Sequence, residues 1–265
     1  MILDFHAHCF PDELAPKAMA YLIEEAGGIK TYTDGTVSAL KRSMDAAGID
    51  VSVLQPVATK PGQVKPINDW QGQVIDERVK AFGALHPDLS EAERKDAIRQ
   101  LVDQGVKGVK FHPDYQGFYV DEERAFPMYE DAIAAGLVIL FHAGIDFGLG
   151  PPVHCPPDRL ALFLDRFPEA QVVAAHMGGF YCWDGVEYLL EGRNLFLDTS
   201  YALPYLGTER AAGIIRRHGS EKILFGTDVP WAGQADGIRD VKSLGLPAAA
   251  EDAILGGNAQ RLLGL

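Results

Sequence analysis

The chain has 265 residues, 47% hydrophobic and 23% charged, which is enough apolar material for the core of one large α/β barrel or two smaller domains. Its formal net charge of −13 argues against a nucleic-acid or anionic-membrane surface, because phosphate binding needs clustered Lys and Arg; a small-molecule substrate is the expected partner. Three cysteines, Cys9, Cys155 and Cys182, do not make a disulfide framework, and with no basic leader and no run of roughly 18 apolar residues the expected location is cytoplasmic.

Short apolar, β-branched runs recur at positions 2–5, 51–54, 79–85, 106–111, 137–141, 171–175, 195–197 and 223–225. Between them, helical patterns occupy 12–26, 36–47, 67–77, 91–104, 122–135, 157–167, 186–191 and 208–218. Strands alternating with helices imply parallel pairing through crossovers, and Leu137-Val-Ile-Leu-Phe141 is apolar at every position, as a strand covered on both faces should be. Gly105 and Gly136 follow helical stretches, where a left-handed cap forms most easily. Eight such units predict a parallel (β/α)₈ TIM barrel occupying residues 1–265 as one domain, with a helical tail from Leu246 closing its bottom. The Pro-rich stretches 55–66 and 150–157 read as long loops after strands, where this architecture carries function.

The pair His6-Ala-His8 ends the first strand, and residues two apart on a strand point to one side, so both imidazoles can converge on one ion. His142 closes the fifth strand, His176 the sixth and Asp228 the eighth. In a barrel those C-terminal ends share one rim, which gathers four imidazoles and a carboxylate about one centre. Such a nitrogen and oxygen donor set suits one divalent ion, Zn²⁺ first, with Fe, Co or Mn also accommodated.

This constellation resembles the amidohydrolase superfamily, and more narrowly the amidohydrolase-related family that includes aminocarboxymuconate semialdehyde decarboxylase. The matching segments are Asp4-Phe-His-Ala-His-Cys-Phe-Pro11, Gly105-Val-Lys-Gly-Val-Lys-Phe-His-Pro113, Ile139-Leu-Phe-His-Ala-Gly144, Val173-Ala-Ala-His-Met-Gly-Gly179, Leu197-Asp-Thr-Ser200, Ile223-Leu-Phe-Gly-Thr-Asp-Val-Pro-Trp231 and Asn258-Ala-Gln-Arg-Leu-Leu-Gly264. The resemblance implies that His6, His8, His142 and Asp228 bind one metal. It also implies that His176 stands beside an activated water whose proton it or Asp228 handles.

Two reactions use that same set: hydrolysis of a small amide, ester or lactone, and non-oxidative decarboxylation of an unsaturated or aromatic acid. The chain is short for the decarboxylases of the resemblance, and no arginine directly follows a rim motif to hold a substrate carboxylate. Hydrolysis by a mononuclear, metal-dependent enzyme is therefore the leading expectation, with decarboxylation as the alternative. Lys110 and His112 share a face near the end of the fourth strand; the expectation for Lys110 is neutralisation of a carboxylate rather than a bridge between two metals, and for His112 a place in the pocket. Trp231, with Phe180, Tyr181 and Tyr201, should give the pocket an apolar wall. An exposed helix pair could support a homodimer.

Overall fold

A computed structural model describes residues 1–265. Nine strand segments run parallel: β1 (Leu3–Ala7), β2 (Val51–Leu54), β3 (Val79–Ala81), β4 (Gly83–Ala84), β5 (Gly108–Phe111), β6 (Val138–Phe141), β7 (Val172–Ala174), β8 (Phe196–Asp198) and β9 (Ile223–Leu224). Neighbours pair in the order β1-β2-β3 and β4-β5-β6-β7-β8-β9. The expected run 79–85 appears as two pieces, β3 paired with β2 and β4 with β5, with Phe82 between them donating its N–H to Leu54 O at 2.9 Å. Counted as one, β3 and β4 bring the strands to eight. The circle closes where Phe5 N donates to Phe225 O at 2.8 Å, Asp228 N to His6 O at 2.8 Å and His8 N to Val229 O at 2.7 Å. The molecule is a (β/α)₈ barrel.

Alternation along the strands sorts side chains into two apolar clusters. Ile139 and Phe141 pack outwards among the helices. Val138 and Leu140 turn inwards with Leu3, Phe5, Val53, Phe82, Val173 and Leu224, as strand periodicity requires. Ala259 and Leu263, from the final helix Asn258–Leu263, join this interior cluster and close its floor, as expected of the tail. Gly105 and Gly136 take φ of +73° and +70°, the left-handed caps anticipated from sequence. Ser90 starts helix Glu91–Asp103 with a capping box: Glu93 N donates to Ser90 Oγ, while Glu93 Oε2 accepts from Ser90 N at 2.9 Å. Such a cap satisfies donors the helix cannot. No helix is long and apolar enough to cross a membrane.

Candidate metal centre

The β1 register shifts between Asp4 and Ala7, an irregularity that re-aims side chains. Leu3 and Phe5 lie in the apolar interior, whereas Asp4 faces outwards. Its carboxylate accepts from Thr227 N at 2.9 Å, Thr227 Oγ1 at 2.6 Å and Gln234 Nε2 at 2.7 Å. Past the shift, His6 and His8 both reach Asp228: His8 Nε2 is 3.0 Å and His6 Nε2 3.6 Å from Asp228 Oδ1. Ligand atoms of these three residues lie within 4.8 Å of one another. Asp228 holds φ at +72°, a conformation costly for a residue with a Cβ. The adjoining Gly226 admits the close approach of β1, since a Cβ there would stand 2.8 Å from His6 Cβ. Burial pushes the Asp228 carboxyl up, but the hydrogen bond from His8 and the charges of the surrounding imidazoles outweigh it and keep the group ionised.

Behind the pair stands a carboxylate without an assigned role in the sequence. His6 Nδ1–H donates to Asp198 Oδ2 at 2.7 Å; Asp198 Oδ1 accepts from His176 N at 3.0 Å and Ser200 N at 3.1 Å. Burial raises the Asp198 carboxyl, and the facing His6 with these hydrogen bonds more than reverses it, to about 2. An ionised carboxylate can only accept, so the His6 proton is fixed on Nδ1 and the Nε2 lone pair is turned towards Asp228. Burial, then Lys110, lowers the His6 imidazole to about 4, keeping that lone pair available. Two Nε2 atoms and a carboxylate oxygen gathered this tightly match the three-ligand set of a divalent ion with a position left for substrate or water; the donor chemistry fits the ion the sequence implies.

His142 is not a member of that set. Its Nδ1 lies 3.0 Å from His176 Nε2, and its Nε2 points to a second group made with His112 and Asp146. His142 directly follows β6 (Val138–Phe141). His176, at φ +59°, directs Nδ1–H to Ser200 O at 2.9 Å, with Ser200 Oγ 3.0 Å away. Lys110 is fully buried, with Nζ 3.3 Å from His6 Nε2; burial lowers its ammonium to about 8. His112 donates from Nε2 to Asp146 Oδ2 at 3.1 Å and stacks on His142, ring centroids 4.0 Å apart.

Trp231 lines a cavity of about 390 Å³ with Lys30, Tyr32, Thr199, Tyr201 and Tyr205. Phe180, Tyr181, Tyr201 and Tyr205 gather around Phe147, with Phe180 stacked edge-on 5.1 Å from Phe147 and 6.1 Å from His176. Sequence reasoning missed Asp198, Ser200, Asp146 and Phe147. Asp198 and Ser200 sit in a quoted motif, but only the fold reveals what they hold; Asp146, four residues after His142, has no local signal at all.

The profile of the family described as Amidohydrolase matches residues 3–265. A 2-amino-3-carboxymuconate-6-semialdehyde decarboxylase of Dictyostelium discoideum is 24% identical over 82% of this chain and 73% of its own. Among solved structures, a TIM-barrel protein of Bordetella bronchiseptica superposes with a TM-score of 0.78 at 19% identity, covering 99% of this chain and 98% of that one. A 5-carboxyvanillate decarboxylase of Novosphingobium aromaticivorans with bound manganese superposes with a TM-score of 0.75 at 14% identity, covering 100% and 97%.

Proposed function

The chain belongs to the amidohydrolase family, and from that premise we propose that it is a metal-dependent, non-oxidative decarboxylase of an unsaturated or aromatic carboxylic acid. The observation that carries this reading is the wall of aromatic rings set beside His176, a surface suited to a flat conjugated substrate. The decarboxylases among the similar proteins support it. They also weigh against the hydrolysis first expected from chain length and the lack of a rim arginine. Lys110 answers the second objection, since a buried ammonium beside the histidines can meet a substrate carboxylate.

In this reading His6, His8 and Asp228 hold one divalent ion, zinc by donor type, with manganese suggested by the bound metal of the similar structure. When bound, the ion supplies positive charge against a substrate oxygen and makes the protons of water available near neutral pH. Asp198 orients His6 and, through the His176 and Ser200 amides, the turn that carries His176. Because Ser200 O fixes the His176 proton on Nδ1, Nε2 is the nitrogen that can accept a proton and return it to the carbon bearing the carboxylate. The new C–H bond forms there. The carbon–carbon bond to the carboxylate then breaks, its electron pair returns to the conjugated system, and CO₂ leaves.

The test is turnover of a panel of hydroxybenzoic and conjugated enoic acids in deuterated water. The expected result is CO₂ release matched one for one by deuterium at the vacated carbon. Incorporation of oxygen-18 from labelled water into an acyl product of an ester, lactone or amide, without CO₂, would overturn decarboxylation in favour of hydrolysis.

A further inference from the structure

The hydroxyl of Ser200 touches three groups of the candidate centre, and its own valence settles which way each hydrogen bond runs. A serine hydroxyl has one hydrogen to donate and two lone pairs that accept. Ser200 is fully buried, and its Oγ stands 2.5 Å from Asp198 Oδ1, 3.1 Å from His6 Nδ1 and 3.0 Å from His176 Nδ1. Asp198 Oδ1 already accepts the amides of His176 and Ser200, so the short contact to Oγ requires the serine hydrogen to lie along it. Neither imidazole can then receive that hydrogen. Both must donate from Nδ1 to the lone pairs of Oγ, and every hydrogen-bonding capacity of the hydroxyl is taken within the site.

The remaining contacts agree with this order. His6 Nδ1–H is shared with Asp198 Oδ2 at 2.7 Å, and His176 Nδ1–H with Ser200 O at 2.9 Å. Lys110 Nζ, a donor, stands 3.3 Å from His6 Nε2, as a bare lone pair there demands. One oxygen on the segment after β8 thereby joins a ring from β1 to a ring from the turn after β7, with centroids 5.5 Å apart and planes inclined by 32°. The backbone on both sides of the contact is strained, His176 at φ +59° and Tyr201 at φ +55°. Such conformations persist only where the surroundings over-determine them.

We propose that Ser200 is a positioning residue whose hydroxyl couples the metal ligand His6 to the proton carrier His176, setting the mutual placement of their two Nε2 atoms. The roles of His6 and His176 are those of the proposed function, and decarboxylation and hydrolysis call on them alike. Without the hydroxyl each ring keeps one acceptor, Asp198 Oδ2 for His6 and the backbone carbonyl of position 200 for His176. They no longer share one. A loosened distance between ion and proton carrier weakens the transition state more than the binding of substrate.

The experiment compares the intact, metal-loaded wild type with Ser200→Ala, Ser200→Cys and Ser200→Thr, with thermal melts as the folding control. Alanine and cysteine remove the hydroxyl, cysteine with little change of volume, and threonine keeps it. In the first two kcat should fall about 10–100-fold, with KM changed by less than about 3-fold and the bound ion retained; threonine should restore most of kcat. In the metal-free protein, long-range ¹H–¹⁵N spectra should show His6 and His176 of wild type both carrying their hydrogen on Nδ1. The Nδ1 resonances of both rings should move in Ser200→Ala. Either ring found with its hydrogen on Nε2, or a response confined to one ring, overturns the coupling. So does wild-type kcat in a folded alanine variant, or a loss of kcat that a folded threonine variant fails to restore. The wild-type spectrum needs neither turnover nor a variant, so it decides even where those fail. Should an ester or lactone be hydrolysed and no acid release CO₂, decarboxylation falls, while the same kcat and spectral comparison on the hydrolytic reaction still judges Ser200.

Discussion

Along β6, Val138 and Leu140 join the apolar interior of the barrel, while His142, two residues beyond Leu140, meets His176 and Asp146. The same alternation thus builds two regions with opposite energetics. In the lower barrel, cohesion is non-directional and spread over many contacts, so any one truncation is felt in proportion to the volume removed. At the rim, Asp198, His6, Ser200 and His176 each satisfy one another in a fixed order of donors and acceptors. Deleting one member strands its partners. Stability and chemistry are therefore separable by height along one set of strands.

The sharpest break of this comparison is His176→Ala. Turnover should fall by about 10²–10⁴-fold, the usual worth of a positioned proton carrier, with the melting temperature and the ion at His6, His8 and Asp228 retained. Loss of that ion would show the residue to be structural. Conversely, Phe5→Ala deletes a buried ring packed edge-on against Phe82 at 5.4 Å. It should cost about 3–5 kcal/mol in urea unfolding while leaving the metal affinity of the folded fraction unchanged.

The metal-free protein should also weaken on mild acidification. Burial holds the His6 imidazole near 4, below its ordinary 6.5, and keeps His112 and His142 well below theirs. As the pH drops below 6.5 the unfolded chain binds protons that the folded chain refuses, so stability falls with it, by about 2 kcal/mol at pH 5 from His6, with His112 and His142 acting in the same direction. Asp4 opposes this: burial raises its carboxyl to about 6, a contribution present at low pH and lost as the pH rises through 6. It returns roughly 1 kcal/mol over the same interval. Urea unfolding at pH 7 and pH 5 measures the balance, and greater stability at pH 5 would put Asp4 in command. The smallest effect is expected for Asp198→Asn, about 10–100-fold in metal affinity, with the pH profile of turnover shifting because His6 loses its fixed tautomer. An unaltered profile would reduce Asp198 to packing.

The barrel was legible because buried parallel strands are written as short unbroken apolar runs between helical patterns, and positions 137–141 could be read no other way. His6, His8 and Asp228 were legible for a related reason: strand ends in this architecture converge, so position along the chain already implied a meeting place. What could not be read was partner choice. Whether His142 turns towards β1 or towards Asp146 depends on a loop whose course no periodicity encodes. The role of Asp198 exists only once β8 lies beside the site.

The seam between β1 and the segment after β9 has one further consequence. Thr227 N donates to Asp4 Oδ1 across 223 positions of sequence, and the carboxylate of Asp228 arrives with it. During synthesis on the ribosome, a nascent chain that has already exposed both early histidines still lacks the piece that completes their cage. Metal capture should therefore be a late event, coincident with the final stave sliding home rather than a template for those before it.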